Sequence, residues 1–438
     1  MSERKEYKLG DLAFAPKKAI ISGPFGSNIG SRFFVNEGIP VIRGNNLPND
    51  MRRFNDEGFV YLTQEKADEL NCYAIKDDLL FTAAGTIGQV GILTGIEKYE
   101  KYVISNKQIR VRLNTNLVSP LFAYYWFSTI EMNNYIKNRN TGSTIPLINL
   151  SVIKELPINL PKLKLQNEIV EILSSLDDKI ELNNKINQEL ENLTQTLFKR
   201  WFIDFEFPNE NGEPYKSSGG EMVESELGEI PKGWEVKTTG DVAQVIDCLH
   251  SKKPVILNVS TGYLFLQLSN IKDNGLLDLT QKFWISKEDY QKWTSRIEVK
   301  EGDFVITNVG RSGAVSRIGK GVKAAIGRNM TAIRLKDNFQ FNGFFSVLIL
   351  SDFMKKEINS KLDSGTILDA LNVKNIPKLR FAFPIKLELP LEFEKIVRPI
   401  WDKMEMNLIE NNSLTDTRDY LLPKLITCEL EINEMSIQ

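Results

Sequence analysis

Apolar residues fall at intervals of three and four in two long stretches of the chain. Each stretch follows a region where short apolar runs alternate with Gly, Asn and Asp. The first stripe comprises Ile169, Ile172, Leu176, Ile180, Ile186, Leu190, Leu193 and Leu197, with no Gly or Pro between 166 and 207. This spacing predicts an amphipathic helix over 166–203, roughly 57 Å long at about 1.5 Å per residue. The second stripe starts near Phe393 and runs through Ile396, Ile400, Met404, Leu408, Leu414, Leu421 and Leu425. Pro399 is expected in its first turn, and Pro423 is expected to bend or stop it. Asn183 and Asn407 both sit on the apolar face. A polar residue at a helix seam costs stability and fixes register and partner number. The two helices are therefore expected to pair through Ile172, Leu176, Ile180, Asn183, Leu190 and Leu197 on one, and Ile400, Met404, Asn407, Leu414 and Leu421 on the other. The alternative is that each helix covers its own domain.

The rest of the pattern also occurs twice. GIPVIRGNN at 38–46 is matched 224 positions later by GYLFLQLSN, and DKIE at 178–181 by DKME at 402–405. Solenoid repeats run about 20 to 50 residues, so this period describes a whole domain plus its trailing helix, duplicated and diverged. Within each copy, runs such as 40–42, 79–82, 108–113, 304–307 and 331–335 predict strands. Short matching helices are expected at 63–71 and 287–294, and longer apolar ones at 120–134 and 342–358. The fold class is therefore α+β: two tandem pseudo-repeated, strand-rich α/β domains with long helices. Boundaries are expected at 1–165 for the first domain and 166–206 for the central helix. A flexible acidic linker is expected at 207–230, the second domain at 231–390, and the C-terminal helix and tail at 391–438.

Charge sharpens this division. Net charge is −2 over the whole chain, but the two strand-rich segments carry +5 and +8 while the helices and the linker carry −5 each. Binding of a polyanion depends on the local potential over the contact face, so two basic lobes joined by acidic helices are compatible with DNA. A solvated surface of mixed charge would give a similar excess. No apolar run approaches the roughly 18 residues needed to span a bilayer, and the sequence MSERKEYKLG has no apolar signal region. A cytoplasmic location and no membrane partner are expected. Cys72, Cys248 and Cys428 are odd in number and widely spaced, so neither a disulfide framework nor a CxxC metal site is expected.

Catalytic equipment is hard to find. His250 is the single histidine, so a Ser-His-Asp triad or a His-based zinc site would have to be built around it, with Cys248 as the nearby soft ligand. No catalytic residue and no metal site is assigned. The paired glycines Gly85 and Gly88, matched by Gly310 and Gly313, suit a sharp turn. Their spacing fits neither GxGxxG nor a phosphate loop. No Asn-Pro-Pro-aromatic tetrapeptide for an amino-methyltransferase occurs. The chain reads as a recogniser. A self-contained DNA-modifying enzyme and a coiled-coil DNA-binding regulator or scaffold remain as other classes.

Several motifs carry a family resemblance over essentially the whole chain. They are SGPFGS (22–27), GIPVIRGNNL (38–47), GSTIPLINLSVIKELPINLP (142–161), LFKRWF (197–202) and GEIPKGWEV (228–236). With two diverged lobes each trailed by a long helix, the chain resembles the DNA specificity (S) subunit of type I restriction-modification enzymes. The resemblance implies two target recognition domains, each reading half of a split asymmetric site, separated by an antiparallel coiled coil of the two helices. It also implies two methylation (M) subunits and two restriction (R) subunits as partners. S-adenosylmethionine, ATP and magnesium would be used by those partners, with no cofactor bound here.

Base edges are read by matched donors and acceptors, and phosphates are held by cationic and small polar groups. The first lobe offers Ser27, Asn28, Arg43, Asn45, Asn46, Thr86, Lys107, Arg139, Thr141, Ser143 and Thr144. The second offers Lys252, Lys253, Gln267, Ser269, Asn270, Arg311, Ser312, Arg328, Asn329, Ser364 and Thr366. Where the copies differ, as Arg43 against Gln267, different half-sites would be read. Some of these Asn and Ser residues instead suit turns.

Overall fold

Strand Asp78–Thr82 is the spine of the first lobe, and the two-residue period of its side chains explains why. Leu79 and Phe81 face one apolar core while Leu80 faces another. Phe304–Thr307 repeats this in the second lobe, with Phe304 and Ile306 in one core and Val305 in the next. The computed structural model describes residues 4–14, 18–48, 51–363 and 369–430. Two units emerge, one of 1–180 with 413–438 and one of 181–412. Each unit thus takes part of both long helices, where the sequence reading had set the helices apart as separate segments.

In the first unit an antiparallel sheet has the order Ile20–Ser22, Gln108–Arg112, Asp78–Thr82, Val90–Ile92. A second four-stranded sheet has the order Val60–Leu62, Ile39–Ile42, Lys101–Ile104, Tyr73–Ile75, with Val41 opposite Val103 in a parallel pair. The second unit repeats the first order as Ala243–Asp247, Met330–Leu335, Phe304–Thr307, Val315–Arg317. Leu264–Leu266, Lys323–Ile326 and Val299–Lys300 form its second sheet. Each lobe buries one carboxylate at the start of the spine strand. Asp78 takes Arg112 at 2.8 and 2.7 Å and the Ile75 N–H at 2.8 Å. Asp303 does the same with Arg334 and the Lys300 N–H.

Several expectations are corrected. The apolar helix expected at 120–134 is two helices, Pro120–Ser128 and Ile130–Lys137, and that at 342–358 is Asn342–Leu350 and Asp352–Asn359. Thr129 and Ser351 cause the breaks. Each is extended, and its hydroxyl accepts from the N–H three residues on, so it starts a new helix. The segment 207–230 is not a structureless linker. Phe207 stacks on Tyr215 at 4.7 Å and on Trp234 at 5.5 Å, and Met222–Ser225 pairs with Gly228–Pro231.

The long helices are Leu163–Phe198, extended by a π turn over Lys199–Ile203, and Glu388–Ile426. The second starts earlier than expected, so Pro390 takes the first turn and Pro399 lies inside the helix. Pro423 does not stop it at once, since three more residues follow. The seam carries more polar residues than the apolar stripe indicated. Asp177, Asn183, Asn187 and Thr194 are buried on the first helix, and Asn407, Asn411 and Arg418 on the second. In the second unit Asn183 Nδ2 donates to Asn411 Oδ1 at 2.9 Å, and Asn407 Nδ2 donates to Asn187 Oδ1 at 2.7 Å. In the first unit Arg418 donates to Asp177 at 2.8 Å. Met404 is buried, and Leu190, Leu197 and Ile400 pack against the same core. Ile172 and Leu421 pack against the core of the first unit. Leu176, Ile180 and Leu414 are half-buried. Leu193 and Ile396, both on the expected stripes, are 56% and 43% exposed. They lie off the seam because the buried positions follow a spacing nearer 3.5 than 3.6.

Candidate nucleic-acid interface

In the first lobe a cleft of about 440 Å³ gathers residues far apart in sequence, among them Arg43, Asn45, Thr86, Asn106 and Lys107. The turn 44–46 places Asn45 outward because Asn46 turns inward. Asn46 is fully buried, accepts from the Arg43 N–H at 2.9 Å and donates to the Asn55 and Glu57 carbonyls at 2.8 Å each. Arg43 Nη2 donates to the Gly58 carbonyl at 2.9 Å, which holds the guanidinium at the cleft wall. Thr86 projects from the glycine turn, whose Gly85 and Gly88 have φ of +92° and +95°. Gly85 donates to the Pro146 carbonyl at 2.9 Å, tying the loop of Thr141, Ser143 and Thr144 to that turn. All three of these side chains are exposed, and the Thr141 hydroxyl donates to the Leu147 carbonyl at 3.0 Å. Lys107 is exposed on the turn that carries the chain from Lys101–Ile104 in one sheet to Gln108–Arg112 in the other. Below the rim, Thr82 donates to Gln89 Oε1 at 2.9 Å, and Gln89 donates to the Leu47 carbonyl at 2.6 Å, so that part of the cleft wall is already satisfied.

The second lobe uses the same supports for different side chains. Asn270 is buried like Asn46 and bonds the Gln267 N–H at 2.9 Å and the Asp278 and Gln281 carbonyls at 2.8 and 2.9 Å. Gln267 then stands where Arg43 stands, and Lys253 Nζ donates to its Oε1 at 2.6 Å. Arg311 stands on the second glycine turn and reaches the Leu268 carbonyl at 3.2 Å and the Ile271 carbonyl. Arg328 and Asn329 are exposed on the inter-sheet turn that in the first lobe carries Asn106 and Lys107. Ser269 and Lys252 are exposed nearby in sequence.

Some candidates change role. Asn46 and Asn270 cannot reach a base edge, because every polar atom of each side chain is engaged and buried. Ser312 is spent on the backbone, with its hydroxyl 3.0 Å from the Asn308 carbonyl and 2.8 Å from the Asp369 carbonyl. Arg139 folds onto the Tyr135 ring at 3.4 Å from its centroid. Ser27 and Asn28 are exposed on the loop beside the cleft. Ser364 and Thr366 lie outside the described residues. Asn106, on the cleft wall, was missed by the sequence reading. Its place between two strands, next to Lys107, was the signal available.

Two further groups bear on chemistry. Asp247, Cys248 and His250 bring their ligand atoms within 4.8 Å of one another, closer than the sequence suggested. Asp247 is bonded to His250 at 2.7 Å and faces the Arg296 guanidinium at 3.6 Å, so its charge is already met by a cation. Burial pushes the Cys248 thiol up, away from the thiolate a soft metal needs. This corner reads as an ion-pair cluster. In the first unit, Asp177 is held by Arg418 at 2.8 Å, Tyr125 at 2.6 Å and Arg53 at 4.0 Å, and Arg53 also meets Asp178 at 2.6 Å. Arg53 belongs to the segment whose Asn55 and Glu57 carbonyls hold Asn46, so the wall of the cleft is strapped to the long helix. Among the described residues, no helix is long and apolar enough to cross a membrane.

Comparison with known proteins agrees with this architecture. The family model described as type I restriction modification DNA specificity domain matches residues 1–192 and again 231–397. The type I restriction enzyme HindI specificity subunit of Haemophilus influenzae is 25% identical, over 98% of this chain and 100% of its own length. The MjaIX specificity subunit of Methanocaldococcus jannaschii is 28% identical, over 91% of this chain and 88% of its own. A crystal structure of the type I restriction-modification S subunit from M. genitalium superposes with a TM-score of 0.54 at 17% identity, covering 97% of this chain and 96% of that one. That last likeness speaks for the fold alone.

Proposed function

Because this chain belongs to the type I restriction-modification DNA specificity family, we propose that it reads a bipartite, asymmetric duplex site, one half with each lobe. The observation that carries this reading is the cleft that gathers Arg43, Asn45, Thr86 and Lys107, together with Gln267, Arg311 and Arg328 at the matching positions of the second lobe. The supports are the same in both lobes, whereas the presented side chains differ. A guanidinium suits the two acceptors of guanine, and a carboxamide suits the donor and acceptor of adenine. Unequal halves of the target follow from that difference.

The long helices set the gap between half-sites as an antiparallel coiled coil. The asparagine bonds 183 to 411 and 187 to 407, with Arg418 to Asp177, support that reading, since the numbers rise on one helix as they fall on the other. The chain itself transfers no methyl group and cuts no strand. Two methylation subunits and two restriction subunits supply those steps, with S-adenosylmethionine, ATP and magnesium used there.

The test is selection of duplexes from a random library by the chain purified with its modification subunit. A single split motif is the expected product. Binding without sequence preference, and without co-purification, would make the chain a DNA-binding scaffold. Methyl transfer by the purified chain alone would make it a self-contained enzyme. Deleting one turn, roughly 5.4 Å, from each helix is expected to change the gap and leave the half-sites intact.

A further inference from the structure

Phe25 is 84% exposed, and yet the loop that carries it is tightly held. The Gly23 N–H donates to the Gln108 carbonyl at 3.0 Å. A Cβ on Gly23 would lie 1.8 Å from the Ser105 carbonyl oxygen, so only glycine allows this close approach. The loop is thereby pressed onto the turn that presents Asn106 and Lys107 to the cleft. A Cβ on Gly26 would be 3.1 Å from Asn106 Nδ2. The Asn28 N–H closes back on the Phe25 carbonyl at 2.8 Å, and the next residue, Ile29, lines the cleft. Phe25 therefore has a fixed root at the rim of the cleft and an open ring. Among the described residues that ring joins no aromatic pair.

Leaving a phenylalanine in water forgoes roughly 1.5–3 kcal/mol relative to burying it. An exposed ring on a rigid mount is suited to being covered by a ligand. The neighbouring chemistry says which ligand. Arg43 and Lys107 suit phosphates, Asn45, Asn106 and Thr86 suit base edges, and a base offers a flat π face that any aromatic ring can stack on.

We propose that Phe25 is a wedge that inserts between two base pairs of the half-site read by the first lobe and unstacks them while the cleft residues hold the flanking groups. This inference rests on the DNA-reading role proposed above. It also carries an asymmetry of its own. The Cys248 N–H bonds the Met330 carbonyl as the Gly23 N–H bonds the Gln108 carbonyl, so His250 stands at the matching place in the second lobe, and its ring is held by Asp247 at 2.7 Å and is not free to insert. One half-site is kinked and the other is not. Because pyrimidine–purine steps unstack most easily, the kinked position falls at such a step.

The experiment uses the chain in complex with its modification subunit and duplexes bearing the selected motif, with 2-aminopurine placed at each position in turn. The expected result is a fluorescence rise at one step of the first half-site and at none in the second. Phe25→Ala abolishes the rise and weakens binding about thirtyfold, the mid-range for one base–aromatic stack, with an unchanged salt slope. Phe25→Trp retains both. A Phe25→Ala complex that binds within about twofold of the parent, or keeps the fluorescence rise, overturns the wedge and leaves the DNA-reading role standing. Loss of co-purification by Phe25→Ala also overturns it, since the ring would then be a protein contact. Failure of the parent complex to prefer any duplex overturns both readings.

Discussion

Replacing Asp177 by Asn removes a carboxylate shared by two buried guanidinium groups. The side chains of Asp177, Arg418 and Arg53 are only 5%, 6% and 6% exposed. Breaking a buried ion pair from one side costs about 3–5 kcal/mol, because the remaining charge is left without its partner. The lower end applies here. Arg418 keeps Asp419 at 2.8 Å and Arg53 keeps Asp178 at 2.6 Å, although both of those carboxylates are more than half exposed. The expected loss is therefore about 3 kcal/mol. Arg418→Met should cost about as much, since Asp177 would retain only Tyr125 and the more distant Arg53. The double replacement Asp177→Leu with Arg418→Met should cost less than the sum by at least ~2 kcal/mol, because an apolar pair needs no compensation. Hydrogen exchange over 163–180 and 413–426 reads the opening free energy of this unit directly. Single losses below about 1 kcal/mol, or a double loss equal to the sum, would refute the claim that Asp177 organises the joint.

Asn46→Ala and Asn270→Ala each strand two carbonyls and one N–H, so each should destabilise its own lobe by at least about 2 kcal/mol in chemical denaturation. A loss of DNA binding without destabilisation would show that they contact the duplex after all. Lys107→Ala should weaken binding evenly across sequences and lower the salt slope by about 0.9, whereas Arg43→Ala should relax sequence choice in the first half-site alone. Burial raises the Cys72 thiol from 9.0 to about 11. An acid whose pKa is raised by folding favours the folded state below its unfolded value and loses that contribution as pH rises through the folded one. Cys72 should therefore resist alkylation at pH 8 and shed its stabilisation between pH 9 and 11, while half-buried Cys428 reacts first.

The duplication, the strand-rich lobes and both long helices were legible because apolar spacing reports directly on which face is buried. Asp177, Thr194 and Arg418 were not legible as seam residues. Polar side chains carry no periodic signal until their partners, 241 positions apart in the case of Asp177 and Arg418, are seen together. The break at Thr129 was hidden for a related reason: the apolar run continues across it, and only the cap hydrogen bond shows that the chain leaves the helix. Residue type picked out Arg43, Asn45, Thr86 and Lys107, which the structure gathers at one cleft, since polar residues beside glycine turns tend to present themselves outward. The same rule misassigned Asn46 and Asn270. An asparagine that faces in to hold a turn and one that faces out to meet a ligand are the same letter, and here they are adjacent.

The claim that this chain alone dictates which DNA sequence is modified is tested most directly by methylome sequencing of cells that express the modification subunit with and without it. The account predicts one split, asymmetric motif with a constant gap, methylated only when the chain is present. A continuous motif, or the same methylation pattern in its absence, would contradict it.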